Sequence, residues 1–227
     1  MQRSELGIVS LEIKHSRRAR RITIRVLPGH VIVTAPAGTP EQLIASVTKE
    51  KSLWIKQKLA IYAQADLSLC PDRFRDGAVF SLLGRKVSLK LISDSCGFQL
   101  RGNSVISSEH TFSEPALRAW LDKVLMQELI SMSEGFCSAL GKRPSRTRLG
   151  NARTRWGSCS HAGTVMINRK LVHAPRSVVA YVLAHELVHL VHRNHSKDFW
   201  RELEGLKVNI PDSKKWLRTS GMWLLAQ

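Results

Sequence analysis

The chain has 227 residues, of which 43% are apolar and 23% charged, a composition typical of folded globular proteins and sufficient for one large domain or two modest ones. Its N-terminus lacks the apolar stretch of a secretory signal, and no run of about eighteen apolar residues exists, so we expect a cytoplasmic protein without a membrane span. Lys and Arg number 35 against 18 Asp and Glu, and this net charge of +17 favours anionic partners.

The positive charge is concentrated towards the two ends of the chain. Residues 1–64 carry a net charge of +7 and residues 141–227 carry +11, whereas residues 65–140 carry −1. The basic run at residues 14–21 either binds phosphate groups, as in a nucleic-acid interface, or belongs to an exposed edge strand, where Lys and Arg discourage aggregation. Both interpretations stay open on the sequence alone.

The first third of the sequence predicts strands followed by a helix. Alternation of apolar and polar residues predicts strands at 8–13, 22–26 and 31–35, with a turn between the last two. Thr39 and Pro40 then predict a helix start, with Thr39 as the capping residue, and the helix is expected to run to about residue 63.

The rest of the sequence predicts a second set of strands and then mainly helices. Strands are expected at 78–83, 87–92, 97–100, 104–106, 146–149 and 164–168, with a tight turn at Gly157. Ser113 predicts the start of a long helix that ends before Gly141. Further helices are expected after Pro175 and after Ser196, and a last amphipathic stretch covers 212–225.

The pattern that carries chemistry is His185-Glu186-Leu-Val-His189. Residues four apart lie one turn apart on the same helix face, so His185 and His189 can bind one metal ion, with Glu186 beside the first of them. The surrounding residues are apolar, which predicts a buried helix. Burying these polar side chains would be costly without a partner, and a metal ion supplies one.

A catalytic zinc site needs a third protein ligand and an open fourth position. His192 continues the helix face three residues after His189. His195 becomes a ligand only if the helix ends first and the chain folds back, which Asn194 permits because Asn tolerates the left-handed conformation. Ser196 would then cap the next helix.

Several segments resemble one known family. The residues concerned are Arg155-Trp-Gly-Ser-Cys-Ser160, Asn168, His185-Glu-Leu-Val-His189, Asn194-His-Ser-Lys-Asp-Phe-Trp200 and Val33-Thr-Ala-Pro36. They are similar to the YgjP-like family of predicted metal-dependent hydrolases, which resemble zincin metallopeptidases and, more distantly, SprT-like ones. The resemblance implies a zincin-like C-terminal half, zinc ligands at His185, His189 and His195, and Glu186 as the catalytic residue.

The site residues predict hydrolysis by a metal-activated water. Zinc lowers the pKa of its water, Glu186 serves as general base, and Arg155 is the candidate donor to the developing negative charge. We therefore expect one Zn²⁺ per chain, although another divalent ion is possible.

The predicted fold class is α+β, with an N-terminal strand-and-helix module at residues 1–110 and a zincin-like hydrolase domain at residues 111–227, across a soft boundary. The expected activity is a zinc-dependent, metallopeptidase-like hydrolase acting on a peptide or protein. Two alternatives stay open. One is a metal-dependent hydrolase of nucleotide phosphoanhydrides, and the other is a nucleic-acid-associated protein built on a zincin scaffold.

Overall fold

The computed structural model describes residues 10–27, 29–63, 67–71, 73–93 and 95–226. The first two residues of the strand predicted at 8–13 lie outside this part of the chain. The described residues form two compact units. The first unit holds those before residue 66 together with those from Arg218 onward, and the second unit holds those from Leu67 to Leu217.

Strands and helices account for most of the described chain. The strands are, in chain order, β1 (Ser10–Ser16), β2 (Thr23–Leu27), β3 (His30–Pro36), β4 (Val79–Leu82), β5 (Arg85–Ile92), β6 (Gln99–Arg101), β7 (Ser104–Ser108), β8 (Arg146–Gly150), β9 (Gly157–Cys159) and β10 (Thr164–Asn168). The α-helices are α1 (Glu41–Glu50), α2 (Ser52–Ala63), α3 (Glu114–Leu140), α4 (Arg176–Val188), α5 (Lys197–Gly205), α6 (Ile210–Trp216) and α7 (Met222–Ala226). A 3₁₀ helix at Arg169–His173 precedes α4, and a π-helical segment at Leu217–Gly221 follows α6.

The first unit contains a three-stranded sheet in the order β1-β3-β2, with β1 parallel and β2 antiparallel to β3. Val31, Val33 and Ala35 of the central strand are fully buried, as the alternating pattern predicts. Strand β1 is an edge strand, and it includes the first residues of the basic run at 14–21.

The prediction of one helix over 39–63 is wrong, because the segment is divided at Lys51 into α1 and α2. Its predicted cap is also wrong. The Thr39 hydroxyl donates to the carbonyl of Pro36 at 2.8 Å, and Pro40 occupies the capping position without a side-chain hydrogen bond. The local turn therefore competes with the helix for this hydroxyl group.

The second unit contains two sheets. The four-stranded sheet has the order β4-β5-β7-β6, and the three-stranded sheet has the order β8-β10-β9, with β10 parallel to β8 and antiparallel to β9. Ser113 caps α3 by accepting from the backbone N–H of Ala116, and Gly141 ends that helix in the left-handed conformation. Both ends of this helix agree with the prediction.

Helix α4 lies at the centre of the second unit. It contacts α3, α5, α6 and strands β9 and β10. Its apolar residues are buried on all sides, among them Val179, Leu183, Leu187 and Val188, each with no exposed surface. This burial fixes the position of the polar residues that the helix carries.

The structure confirms the predicted α+β class. The domain boundary proposed near residue 110 falls inside the second compact unit, and the division at 110 stays a prediction. None of the described helices has the length and apolar character needed to cross a bilayer.

Candidate metal centre

Helix α4 ends before the third histidine of the candidate site. His189 is the C-terminal capping residue of α4. The next helix, α5, begins at Lys197 and is capped by Ser196, whose side chain accepts a hydrogen bond from the Phe199 N–H. Asn194 does not supply the predicted left-handed residue, because Leu83 and Lys207 are the only described non-glycine residues with positive φ. The intervening turn folds His195 back towards the helix.

Three histidines converge at this point. One ring nitrogen from each of His185, His189 and His195 lies within 4.8 Å of the others. The Nε2 atoms of His185 and His195 are 2.9 Å apart. The structure thus brings together the two helical histidines and His195 in an arrangement that can hold one metal ion.

His192 takes a different place. Its imidazole lies 3.8 Å from the carboxylate of Glu202, outside the three-histidine group. Its backbone carbonyl instead accepts a hydrogen bond of 2.9 Å from Nδ1 of His189. This bond holds the proton of His189 on Nδ1, so the Nε2 lone pair is free to face a metal ion. The sequence pattern does not predict this contact, because it depends on the backbone of the turn.

The three imidazoles share one apolar partner. Phe199 has no exposed surface, and its ring centroid lies 4.9 Å from that of His185, 4.8 Å from that of His189 and 4.6 Å from that of His195. Trp200 stacks on His195 at 5.9 Å, with an interplanar angle of 29°. These rings restrict the rotamers of the histidines and so help to preorganise the group.

Burial keeps His185 neutral. Burial lowers the pKa of His185 to about 4, and the neighbouring charges of His189, His195 and Lys214 add to this effect. Among the described residues, Nδ1 of His185 is buried and has no hydrogen-bond partner. An unsatisfied buried polar atom costs about 1–3 kcal/mol, and such costs are concentrated at functional sites.

Glu186 is buried beside the histidines, with 7% of its surface exposed. Burial raises the pKa of its carboxyl group to about 7, while the positive charge of Arg155 opposes the shift. A carboxyl group with such a pKa can exchange a proton near neutral pH. The positive charge of Arg155 therefore acts on the Glu186 carboxyl group.

The segment that carries Arg155 is fixed by Asn168, which is fully buried. The Asn168 side-chain amide donates to the carbonyls of Ala152 at 2.7 Å and of Arg155 at 3.0 Å, and its backbone N–H donates to the carbonyl of Trp156 at 2.8 Å. The Arg155 side chain itself is exposed. Asn168 therefore holds the backbone, and the guanidinium extends from a fixed base.

Gly157 differs from its predicted role as a turn residue, because it lies in strand β9 opposite Ile167. A Cβ atom at this position would lie 2.6 Å from both Cγ and Oε1 of Glu186. Glycine is therefore required here by close approach to the Glu186 side chain. A three-residue strand is too short for its alternation to be read from the sequence.

Lys214 is a residue of the site that the sequence patterns do not identify. It lies on α6, and its Nζ atom is 3.9 Å from the centroid of the Trp200 ring. Its charge also lowers the pKa of His195, after burial and His189. Because α6 is distant in sequence from the histidine motif, only the folded chain reveals this proximity.

This site, on a helix of an α+β fold, is of the kind found in metal-dependent hydrolases. A family model described as YgjP-like, metallopeptidase domain, matches residues 20–220 and so covers the complete candidate site. The chain belongs to the YgjP-like family, as the resemblance predicts. No curated protein shows a significant match to the chain.

Proposed function

We propose that this protein is a zinc-dependent hydrolase of the metallopeptidase kind that acts on a peptide or protein substrate in the cytoplasm. The observation that carries the proposal is the convergence of the imidazoles of His185, His189 and His195 beside the buried carboxyl group of Glu186. Membership of the family supports a metal-dependent hydrolase in general. Beyond this general class, we propose that the metal is zinc, that Glu186 is the base and that a peptide bond is cleaved.

The three histidines suit a divalent metal ion. Metal ligands must be unprotonated, and the low pKa of His185 keeps its imidazole neutral at pH 7. Three imidazoles with a fourth position open is a ligand set of catalytic zinc, although nickel or another divalent ion can occupy such a site. An ion held there would lower the pKa of water and polarise the scissile bond.

We assign proton transfer to Glu186. As a carboxylate it accepts a proton from the attacking water, and as a carboxylic acid it passes that proton to the leaving group. A pKa near 7 suits both halves of this cycle at neutral pH. Gly157 leaves the space that the Glu186 side chain occupies, and so it positions this group.

We assign to Arg155 the stabilisation of negative charge on the substrate. Its guanidinium is close enough to influence the pKa of Glu186, and its backbone is fixed by Asn168. A donor held by a rigid base costs little reorganisation when charge develops during the reaction.

Hydrolysis of nucleotide phosphoanhydrides is the second candidate function. The observation in its favour is the charge around the site, where Arg155 acts electrostatically on Glu186 and Lys214 acts on two of the histidines. Phosphate groups carry more negative charge than a peptide bond and gain more from these cations.

A panel of peptides and nucleoside triphosphates tests both candidates. Turnover by the zinc-loaded protein is compared with that of Glu186→Gln, which keeps the shape of the side chain and removes the base. Glu204→Gln, an exposed position on α5, is the matched control and should retain full activity. Turnover of peptides alone supports the first candidate, and turnover of triphosphates alone supports the second. Turnover of neither class in a Glu186-dependent manner refutes both.

A further inference from the structure

We infer that Lys214 recognises an anionic group of the substrate, a carboxylate or a phosphate, next to the bond that is hydrolysed. The inference rests on the proposed function and specifies the substrate class of the same site. Lys214 would be a binding residue that determines specificity and takes no part in proton transfer.

The position of the Lys214 ammonium is defined by an aromatic ring. Nζ lies 3.9 Å from the centroid of Trp200, a distance that gives a favourable cation–π interaction. Trp200 in turn stacks on His195, one of the three histidines. The lysine side chain is half-buried, so it loses less conformational entropy on binding a ligand than a solvated lysine would.

The helix that carries Lys214 packs against the helix that carries His185. Helix α6 contacts α4, and the buried hydroxyl of Ser213 donates to the carbonyl of Ser177, on the first turn of α4, at 3.5 Å. Asn209 caps α6 by accepting from the Asp212 N–H. The lysine is thus held on a fixed element beside the histidines, as a recognition group requires.

The charge of Lys214 is available to a ligand. Within the described chain, Lys214 forms no ion pair. The carboxylates closest to it and to Trp200 in the sequence have other partners. Asp212 accepts from the Asn209 side chain at 2.8 Å, Asp198 pairs with Arg201 at 2.9 Å, and Glu202 lies 3.8 Å from the His192 imidazole. The Trp200 ring lies between the ammonium and the histidine group, since its centroid is 3.9 Å from Nζ of Lys214, 5.9 Å from the His195 ring and 6.3 Å from the His185 ring.

A positively charged site of this kind selects a negatively charged substrate. Glu186 is the buried acidic group of the site, and Lys214, held on the Trp200 ring that stacks on His195, and Arg155 would add positive charge to that of a divalent ion. An ammonium group is a point charge without a fixed fork of donors, so it accepts a terminal carboxylate of a peptide or a phosphate of a nucleotide. The shared chemistry is an anion close to the scissile bond.

Binding to a zinc-loaded chain that cannot turn over tests this inference separately from catalysis. On a Glu186→Gln background, titration calorimetry measures the dissociation constants of two probe pairs. One pair is tetraalanine with a free C-terminal carboxylate and its C-terminal amide, and the other pair is ATP and adenosine. The variants are Lys214→Gln, Lys214→Arg and, as the matched control, Lys215→Gln at the neighbouring exposed position.

We expect Lys214→Gln to weaken the charged member of one pair about tenfold, the loss expected for one charge-assisted contact, and to leave its neutral member unchanged. Lys214→Arg should restore most of the affinity, and Lys215→Gln should have no effect.

The probe pair whose charged member loses affinity identifies the anion as carboxylate or phosphate. The inference is refuted if no charged probe binds more tightly than its neutral analogue, or if Lys214→Gln and Lys215→Gln give the same constants. Because this experiment measures binding and not turnover, its result does not depend on whether the hydrolase assay detects activity.

Discussion

Gly157 and Glu186 illustrate how closely two residues of the site depend on each other. Position 157 has no room for a Cβ atom, because such an atom would lie only 2.6 Å from Cγ and Oε1 of Glu186. The pKa of Glu186 depends on the same burial. A small change at position 157 therefore reaches the proposed base directly, although the two residues are far apart in the sequence.

Replacing Gly157 by Ala should displace the Glu186 carboxyl group and reduce kcat about 10- to 100-fold, the effect of misplacing a reacting group by about 1 Å. The measurement is steady-state turnover of whichever substrate the panel identifies. Gly135→Ala is the matched control, because Gly135 lies in α3 with open space where the added methyl group would stand, and this variant should keep wild-type turnover. Equal turnover in the two variants would contradict the positioning role of Gly157.

At this scale the sequence predicts part of the site. The four-residue spacing of His185 and His189, and the position of Glu186, follow from helix geometry alone. His195 requires knowledge of where α4 ends, and Lys214 requires knowledge of how α6 returns to α4. Contacts of these two kinds depend on turns and tertiary packing, which a periodic pattern does not encode.

At the scale of elements, helix α4 is fixed at its start by a turn from the four-stranded sheet. Gly84, between β4 and β5, has a φ of +85°, and a Cβ atom there would lie 2.9 Å from the Cα atom of Pro175, the residue before α4. The Leu83 N–H also donates to the carbonyl of Val172 at 2.7 Å. The turn between β4 and β5 is therefore in direct backbone contact with the 3₁₀ helix and with the capping residue that precede α4.

Gly84→Ala should lower the free energy of unfolding by about 2–5 kcal/mol, since the left-handed backbone costs about 1–2 kcal/mol and the clash with Pro175 adds about 1–3 kcal/mol. Gly77→Ala separates these two causes, because Gly77 has a φ of +77° in open space and should show only the first cost. Urea unfolding of both variants provides the measurement. Equal losses would mean that the contact with Pro175 does not constrain the helix.

The elements also mark the limits of sequence patterns. Long elements such as α3 are predicted with both ends, because Ser113 and Gly141 are strong end signals. The break at Lys51 has no Pro or Gly to announce it, and β9 has only three residues. These details depend on packing against the rest of each unit.

At the scale of the whole molecule, the second unit carries a buried histidine, His173, that lies outside the three-histidine group. His173 packs against the rings of Phe74 and Phe80, and its Nδ1 donates to the carbonyl of Ser81 at 2.7 Å. Burial lowers the pKa of His173 to about 4. The folded protein therefore holds this imidazole neutral under conditions in which the unfolded chain would protonate it.

For this reason, the free energy of unfolding should decrease as the pH is lowered. Above pH 6.5 His173 is neutral in both states and has no effect, whereas between pH 6.5 and 4 only the unfolded state binds the proton, so up to about 3 kcal/mol of stability is lost. His173→Asn, which keeps a donor near Ser81, should reduce this slope in urea unfolding of metal-free protein. His110→Gln, at an exposed position, should leave the slope unchanged. The same slope in His173→Asn as in wild type would contradict the account.

We propose that His185, His189 and His195 together hold one divalent metal ion. Metal analysis by mass spectrometry after zinc loading and gel filtration tests it most directly, on wild type, His195→Ala and His192→Ala. We predict about one zinc per chain in the wild type and in His192→Ala, because the backbone carbonyl of His192 that supports His189 remains, and loss of zinc in His195→Ala. Zinc retained in His195→Ala and lost in His192→Ala, or a wild-type chain that binds none, would contradict it.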